Sequence, residues 1–308
     1  MGVVQTVLGP IDGSELGITR MHEHLLIDVE WIRSRFTYDV LDDEQLAIEE
    51  LAPYRAAGGR TLVDLTVPDT RRDPDGLWRI SAASGLNIVM GCGWYREPYY
   101  PPEIDELPVR ELARRLRIEI EEGVGEARIR PGIVGEIGSH KGVVTAKEER
   151  VFRAAARAAK ESGLALETHS VGDRVGLEHL EILREEGLDA GRVIIGHSDT
   201  YLHLDYQLAI VRTGATVSFD QIGMYPRSAW WSEKLAGIIT ALWDAGFGDR
   251  ITLATDICKK AHLRAFDGPG YGYLLDTYVP FLRERGITQA QLDQMLIATP
   301  RRLLEREG

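Results

Sequence analysis

The sequence predicts a (β/α)8 TIM barrel closed into a single domain. Short runs rich in Val, Ile and Leu recur eight times along the chain, and amphipathic segments of helical period separate them. No Pro/Gly/Ser linker and no midpoint change in composition interrupts this alternation over 308 residues, which favours one closed barrel over an open sheet with a second domain.

Residues 1–16 read as a hairpin-like segment across the barrel floor, with its turn at Gly9-Pro-Ile-Asp-Gly13. The eight runs follow at residues 17–24, 60–66, 87–93, 131–137, 164–169, 193–198, 215–220 and 251–256. Most are near-continuous in apolar residues, as strands buried on both faces should be. Residues 43–57 carry Leu46, Ile48, Leu51 and Tyr54 at helical spacing and stop at Gly58-Gly59. Thr145-Ala-Lys-Glu148 forms a capping box that opens a helix through Val151, Phe152, Ala155, Ala156 and Ala159, ended by Gly163. Residues 110–122, 176–186, 204–212 and 232–245 fill the same role between later strands. Residues 257–308 supply a substrate loop and closing helices, the last opened by Thr288-Gln-Ala-Gln291. There is no internal repeat beyond this alternation.

A hydrophobic fraction of 44% beside 27% charged residues provides for a sizeable core. The formal charge of −12 and a pI near 5.2 disfavour nucleic acid or an anionic membrane as partner, since both reward clustered Lys and Arg. A small molecule is the expected partner. Two cysteines exclude a disulfide framework and a thiolate zinc site. With no signal-peptide pattern and no uncharged apolar stretch of roughly 18 residues, the expectation is a soluble, cytoplasmic protein.

Histidines and apolar-flanked acids gather at the carboxyl ends of the runs. His22 and His24 end the first, Glu136 the fourth, His169 the fifth, His197 the sixth and Asp256 the eighth. Active sites of this fold sit at that face. Residues i and i+2 of a strand share a side, so His22 and His24 point into the barrel while Glu23 points outward. Four histidines and two carboxylates are more than one tetrahedral zinc takes, and two ions sharing a carboxylate fit the set.

Singly, these residues have plainer readings. His22 and His24 could be exposed or core histidines, Glu136 a barrel-layer acid paired with Lys or Arg, and His169 and His197 structural. Asp256 has the least room for one, because an acid ending a buried strand is costly unless paired or ligating. Their joint placement favours the metal site. His140, His179 and His203 fall in loops or on predicted helices and read as solvated or capping residues. Cys92 and Cys258 read as packing residues.

The segments Leu16-Gly-Ile-Thr-Arg-Met-His-Glu-His-Leu25, Thr168-His169, Gly196-His197-Ser-Asp199, Ala254-Thr-Asp256 and Thr299-Pro-Arg-Arg-Leu-Leu304 resemble the signatures of the phosphotriesterase family of the amidohydrolase superfamily. The likeness runs nearly end to end. It implies an amidohydrolase-type barrel with one metal held by His22, His24 and Asp256 and a second by His169 and His197. A group at position 136 bridges them. Better-known members use a carbamylated lysine there; Glu136 stands in its place, as in the subgroup of phosphotriesterase-homology and phosphotriesterase-related proteins. Gly135-Glu-Ile-Gly138, Asp256-Ile-Cys-Lys-Lys-Ala-His-Leu-Arg264 and Gly270-Tyr-Gly-Tyr-Leu-Leu275 are most similar to that subgroup. Organophosphate-degrading members carry a His and an acid where Gln221 and Thr200 stand here, so the proton shuttle of phosphotriester hydrolysis is missing.

The expected cofactor is a pair of divalent ions, zinc first, with cobalt or manganese as substitutes. The expected chemistry is attack by a hydroxide shared between ions ~3.5–4 Å apart, with Asp256 as catalytic proton acceptor. Trp94 and Tyr95 are candidates to line the substrate pocket. Lys259, Lys260, His262 and Arg264 form a cationic cluster that would favour an anionic substrate if it faces the metals; rim packing and a solvated loop are the alternatives. The first choice of reaction is hydrolysis of a carboxyl ester or lactone. Phosphoester or phosphotriester hydrolysis and amide hydrolysis of small N-acyl amino acids are alternatives, as is a non-catalytic ligand-binding barrel with structural metals. A phosphate-binding aldolase or isomerase barrel lacks an evident Schiff-base lysine at a strand end. The resemblance also implies that a homodimer is common among relatives.

Overall fold

The computed structural model describes residues 2–32, 37–224 and 228–307; Met1 and Gly308 lie outside the described residues. The antiparallel strands β1 (Gly2–Thr6) and β2 (Gly9–Asp12) come first. Thr6 pairs with Gly9, so the turn is Val7-Leu8, and the 9–13 segment expected to turn supplies the second strand instead. Gly9, at φ +120°, lets the chain leave so tight a turn, and Pro10 is tolerated because β2 is an edge strand.

Barrel strands β3 (Ile18–Glu23), β4 (Gly59–Asp64), β5 (Asn87–Cys92), β6 (Ile133–Gly138), β7 (Leu166–His169), β8 (Val193–Gly196), β9 (Thr216–Phe219) and β10 (Ile251–Leu253) pair in chain order, each parallel to the next. The seam closes through His24 N–H to Ile257 O at 3.2 Å and Asp256 N–H to His22 O at 3.3 Å. The result is a nearly closed (β/α)8 barrel, as the alternation predicts.

The crossovers carry α1 (Glu44–Ala56), α2 (Pro74–Ser84), α3 (Glu103–Glu106), α4 (Val109–Glu122), α5 (Ala146–Ser162), α6 (Val175–Glu185), α7 (Leu204–Val211) and α8 (Ala229–Asp244). After β10 come α9 (Val279–Glu284), α10 (Gln289–Asp293) and α11 (Thr299–Leu304), and β11 (Arg306–Glu307) pairs with β1 on the floor. The capping boxes at Thr145/Glu148 and Thr288/Gln291 are both formed. Helix α2 was not anticipated, although its signals are present: Asp73 caps Gly76 N–H, Pro74 begins the helix and Gly85 ends it left-handed. Among the described residues no helix is long and apolar enough to cross a membrane.

Met21, Val63, Val89, Ile133, Ala165 and Ile194 fill the lower barrel and meet Val4 and Leu303 from the floor. With its bottom plugged, the barrel can open only at the carboxyl ends of its strands. The first strand has a register shift between Arg20 and Glu23. Arg20 and Glu23 form an ion pair between barrel and helices, with Arg20 stacked over Tyr54 at 5.2 Å and Tyr271 at 5.6 Å. Glu23 accepts Thr255 N–H at 2.8 Å and Ile257 N–H at 3.0 Å, latching the last strand's end to the first strand.

Candidate metal centre

Six side chains carried by or just beyond β3, β6, β7, β8 and β10 meet above the plug. His22, His24, Glu136, His169, His197 and Asp256 are all buried. His22 Nε2 lies 3.6 Å from Glu136 Oε1 and 3.6 Å from Asp256 Oδ1, and His24 Nε2 is 3.3 Å from the same Asp256 oxygen. On the other side, Glu136 Oε1 is 2.6 Å from His169 Nδ1 and 2.8 Å from His197 Nε2, which are 2.9 Å apart.

Local backbone delivers these groups. His197 and Asp256 sit in the left-handed region at φ +53° and +49°, a conformation that costs a non-glycine residue about 1–2 kcal/mol. Both are held there: Asp220 accepts the His197 N–H at 2.9 and 3.1 Å, and the Glu23 latch grips the residues on either side of Asp256. Before Glu136, Gly135 has φ +132°, and a Cβ there would come within 2.5 Å of Glu167 O. Only glycine fits.

The donor set suits cations. Ligands at ~2.0–2.2 Å from a tetrahedral ion lie about 3.3–3.6 Å apart, the spacing found from Asp256 Oδ1 to the Nε2 atoms of His22 and His24. His22 Nε2 is buried and has no hydrogen-bond partner. The His169, His197 and Glu136 atoms are closer together than such ligands would be, at hydrogen-bonding distances. Candidate ion-holding groups include His22–His24–Asp256 and His22–Glu136–His197.

Electrostatics point the same way. Burial opposes protonation of His22 and His197, yet Asp220 and Glu136 outweigh it and hold both imidazoles well above their ordinary range. Glu136 and Asp256 are held below theirs despite burial, Glu136 chiefly by His169 and His22 and Asp256 chiefly by His24. His169 differs, because burial takes it down to about 4. A buried set of acids that keeps its charge is a set that favours cations.

The far ring nitrogens are fixed by a second set of groups that the sequence reading did not assign. His22 Nδ1 meets Glu167 Oε1 at 2.9 Å, His24 Nδ1 meets Thr66 Oγ1 at 3.0 Å, and His197 Nδ1 meets Asp220 Oδ1 at 2.7 Å. Each aims an Nε2 at the centre. Their signals lay in the sequence: Thr66 and Asp220 close the second and seventh runs, and Glu167 is two residues before His169 on the same strand face. Gln221 donates to Asp256 Oδ2 at 2.6 Å, and Thr200 Oγ1 donates to His197 O at 2.7 Å.

A cavity of about 170 Å3 opens over the cluster. Tyr95 and Lys259 line it, the former with its hydroxyl 3.4 Å from His169 Nδ1 and the latter paired with Glu30 at 3.2 Å. The other expected substrate contacts lie elsewhere. Trp94 packs in the core and borders an outer groove with Trp31 and Tyr100, because neighbouring side chains alternate and Tyr95 takes the inner position. Lys260 is drawn to Asp42 and Arg264 to Asp276, both at 2.7 Å, and His262 Nδ1 turns back to Cys258 N–H at 3.3 Å. Cys258 and Arg96, neither expected, stand in the cavity wall. His140 and His203 are exposed. His179, expected to be solvated or capping, is fully buried against Phe152 and bonded to Ser139 Oγ at 2.7 Å, since it lies on the inward face of α6.

Comparison with known proteins fits this geometry. The chain is 35% identical over 284 residues to the phosphotriesterase homology protein of Escherichia coli strain K12, covering 92% of this chain and 96% of that protein. The crystal structure of that protein, with phosphate in its active site, superposes with a TM-score of 0.90 at 34% identity, covering 96% of this chain and all of that one. The N-acetyltaurine hydrolase of Tetraodon nigroviridis is 30% identical, covering 98% of each chain. A lactonase from Listeria monocytogenes has a TM-score of 0.92 at 26% identity, covering 99% of this chain and all of that one. Each relative spans the whole barrel, and the family model described as the phosphotriesterase family matches residues 2–304; with hydrolases among its relatives and a candidate metal-binding cluster at its strand ends, this chain belongs to the phosphotriesterase family.

Proposed function

We propose that this hydrolase uses two divalent ions, zinc first, to cleave a carboxyl ester or lactone of a small substrate. One observation carries the reading: Glu136 Oε1 stands among three imidazole nitrogens, 2.6 Å from His169, 2.8 Å from His197 and 3.6 Å from His22. His22, His24 and Asp256 would hold one ion, His169 and His197 the other, and Glu136 would be shared. When bound, the ions supply Lewis acidity and a water activated at neutral pH.

The chain's own residues then do the following. Asp256, ionised and oriented by Gln221, accepts the proton of the attacking water and gives it to the leaving group. Burial pushes the Tyr95 phenol well above its ordinary range, so it stays a hydrogen-bond donor beside the substrate oxygen. Gln221 donates a hydrogen bond but cannot act as an acid or base to relay a proton, which supports an ester or lactone over a phosphotriester. So does the likeness to a lactonase. A second reading, amide hydrolysis of a small N-acyl compound, is favoured by the likeness to an N-acetyltaurine hydrolase. We place the protein in the cytoplasm, acting on a freely diffusing substrate.

The test is metal-depleted protein reloaded with zinc, cobalt or manganese in bicarbonate-free buffer. The expected result is two ions per chain by elemental analysis, restored turnover, and lactones cleaved faster than paraoxon-type triesters. Glu136→Gln should lose most activity and bind both ions more weakly. A bicarbonate requirement, full metal content in the variant, or the reverse substrate ranking overturns the corresponding step.

A further inference from the structure

Arg96 follows Tyr95 in the loop after β5 and lines the cavity together with Glu136, His169 and Asp256. Its guanidinium stacks over Tyr95 at 4.7 Å and over Tyr99 at 5.5 Å. Its Nε is buried without a hydrogen-bond partner. Among the described residues it has no carboxylate partner, unlike Lys259, Lys260 and Arg264, which pair with Glu30, Asp42 and Asp276. In a chain with 48 Asp and Glu against 36 Lys and Arg, a counter-ion for an arginine is easy to supply, yet none of the described residues forms an ion pair with this half-buried one.

We propose that Arg96 recognises the substrate by an anionic group, a carboxylate, sulfonate or phosphate, carried a short distance from the bond to be cleaved. This rests on the hydrolase reading above and narrows its substrate class. Guanidinium donors form a rigid planar fork that matches such oxyanions in pairs. The two tyrosine rings fix the plane of that fork, and stacking offsets part of the cost of burying an unpaired charge. Tyr99 gives its hydroxyl proton to Val29 O at 2.7 Å, so towards Arg96 its oxygen acts only as an acceptor.

The loop is pinned from behind on both sides of Arg96. Asp69 accepts the Tyr95 N–H at 2.9 Å, and Glu148 faces the Glu97 N–H at 3.5 Å. The anchor is thus preorganised. Lys259 reaches the same cavity, but Glu30 neutralises it, which leaves Arg96 as the free cation among the described lining residues. A cavity of about 170 Å3 has room for a small substrate of roughly a dozen heavy atoms between the candidate metal ligands and this group.

The test compares metal-loaded wild type, Arg96→Met, Arg96→Lys and Lys259→Met on paired compounds that differ only in charge. A γ-butyrolactone bearing a ring carboxylate is set against its carboxamide, with sulfonate and phosphate analogues as further arms, and N-acetylglycine is set against N-acetylglycinamide. Wild type should prefer the anion by about tenfold or more in kcat/KM, and the arms identify which oxyanion is favoured. The ratio should fall to about one in Arg96→Met, recover in part in Arg96→Lys and persist in Lys259→Met. A preference that survives Arg96→Met, or disappears in Lys259→Met alone, overturns the assignment. If only the N-acyl pair is cleaved, the ester reading fails while the same ratio still judges Arg96. A measurement free of turnover is calorimetric binding of succinate against butyrate. Wild type should bind succinate about tenfold more tightly and Arg96→Met should bind both alike; equal affinities in wild type overturn the proposal.

Discussion

Glu23→Gln tests whether the latch between the first and last barrel strands also builds the proposed metal site. The Glu23 carboxylate accepts from Thr255 N–H, Thr255 Oγ1, Ile257 N–H and Arg20. Burial pushes Glu23 above its usual range although Arg20 and these donors pull it down, so the ion pair itself contributes little net stability. The loss on substitution comes from what is left behind: Arg20, with no exposed surface, loses its counter-charge, and an amide nitrogen turns towards a backbone N–H. Orphaning a buried charge costs about 3–5 kcal/mol. A second loss falls on Asp256, whose left-handed conformation at φ +49° is held from both flanks by this carboxylate. Removing that hold should weaken zinc binding roughly 10–100-fold, as changes behind a ligand do. Urea unfolding of metal-free protein reads the first effect, and competition with a chromogenic chelator reads the second. The double variant Arg20→Met/Glu23→Leu should recover most of the stability and none of the zinc affinity. If Glu23→Gln loses stability but binds zinc within about twofold of wild type, the latch does not position Asp256 and the reasoning fails.

Other expectations are as direct. Thr66→Val removes the partner of His24 Nδ1 and should weaken metal binding roughly tenfold with little change in stability, measured by the same competition; unchanged affinity would show that His24 is oriented by packing. His179 is held by burial at about 3, against ~6.5 when unfolded. Between those values the unfolded chain binds a proton that the native state does not, so stability present above pH ~6.5 is lost as pH falls. From pH 6.5 to 4.5 the loss is about 2.7 kcal/mol at most. The stability gap between wild type and His179→Gln should therefore narrow on acidification, and parallel pH profiles in urea titrations would refute the assignment.

The barrel was legible because its eight strands are buried on both faces and therefore read as apolar runs, and the convergence of the six candidate ligands was legible because a polar residue ending such a run needs a reason to be there. That rule, applied to Asp256, applies equally to Asp220 and Thr66, whose roles behind His197 and His24 went unassigned. The strand-eight loop was harder. Its cations looked like a cluster because they are neighbours in sequence, but Lys260 and Arg264 are claimed by acids at positions 42 and 276, and no local pattern reveals such partners. Arg96 is illegible for the opposite reason: lacking a carboxylate partner among the described residues is a property of its surroundings. The hairpin turn moved to Val7-Leu8 because strand pairing with the floor outweighed the turn chemistry of Gly9 and Pro10.

The Glu23 latch joins residues 232 positions apart. On a ribosome adding about 5–20 residues per second, that separation is roughly 10–50 s, during which His22 and His24 are already made and Asp256 is not. For that interval the proposed pocket has two of its three donors. If these three donors hold an ion as proposed, its capture at that pocket would wait until the final strand docks.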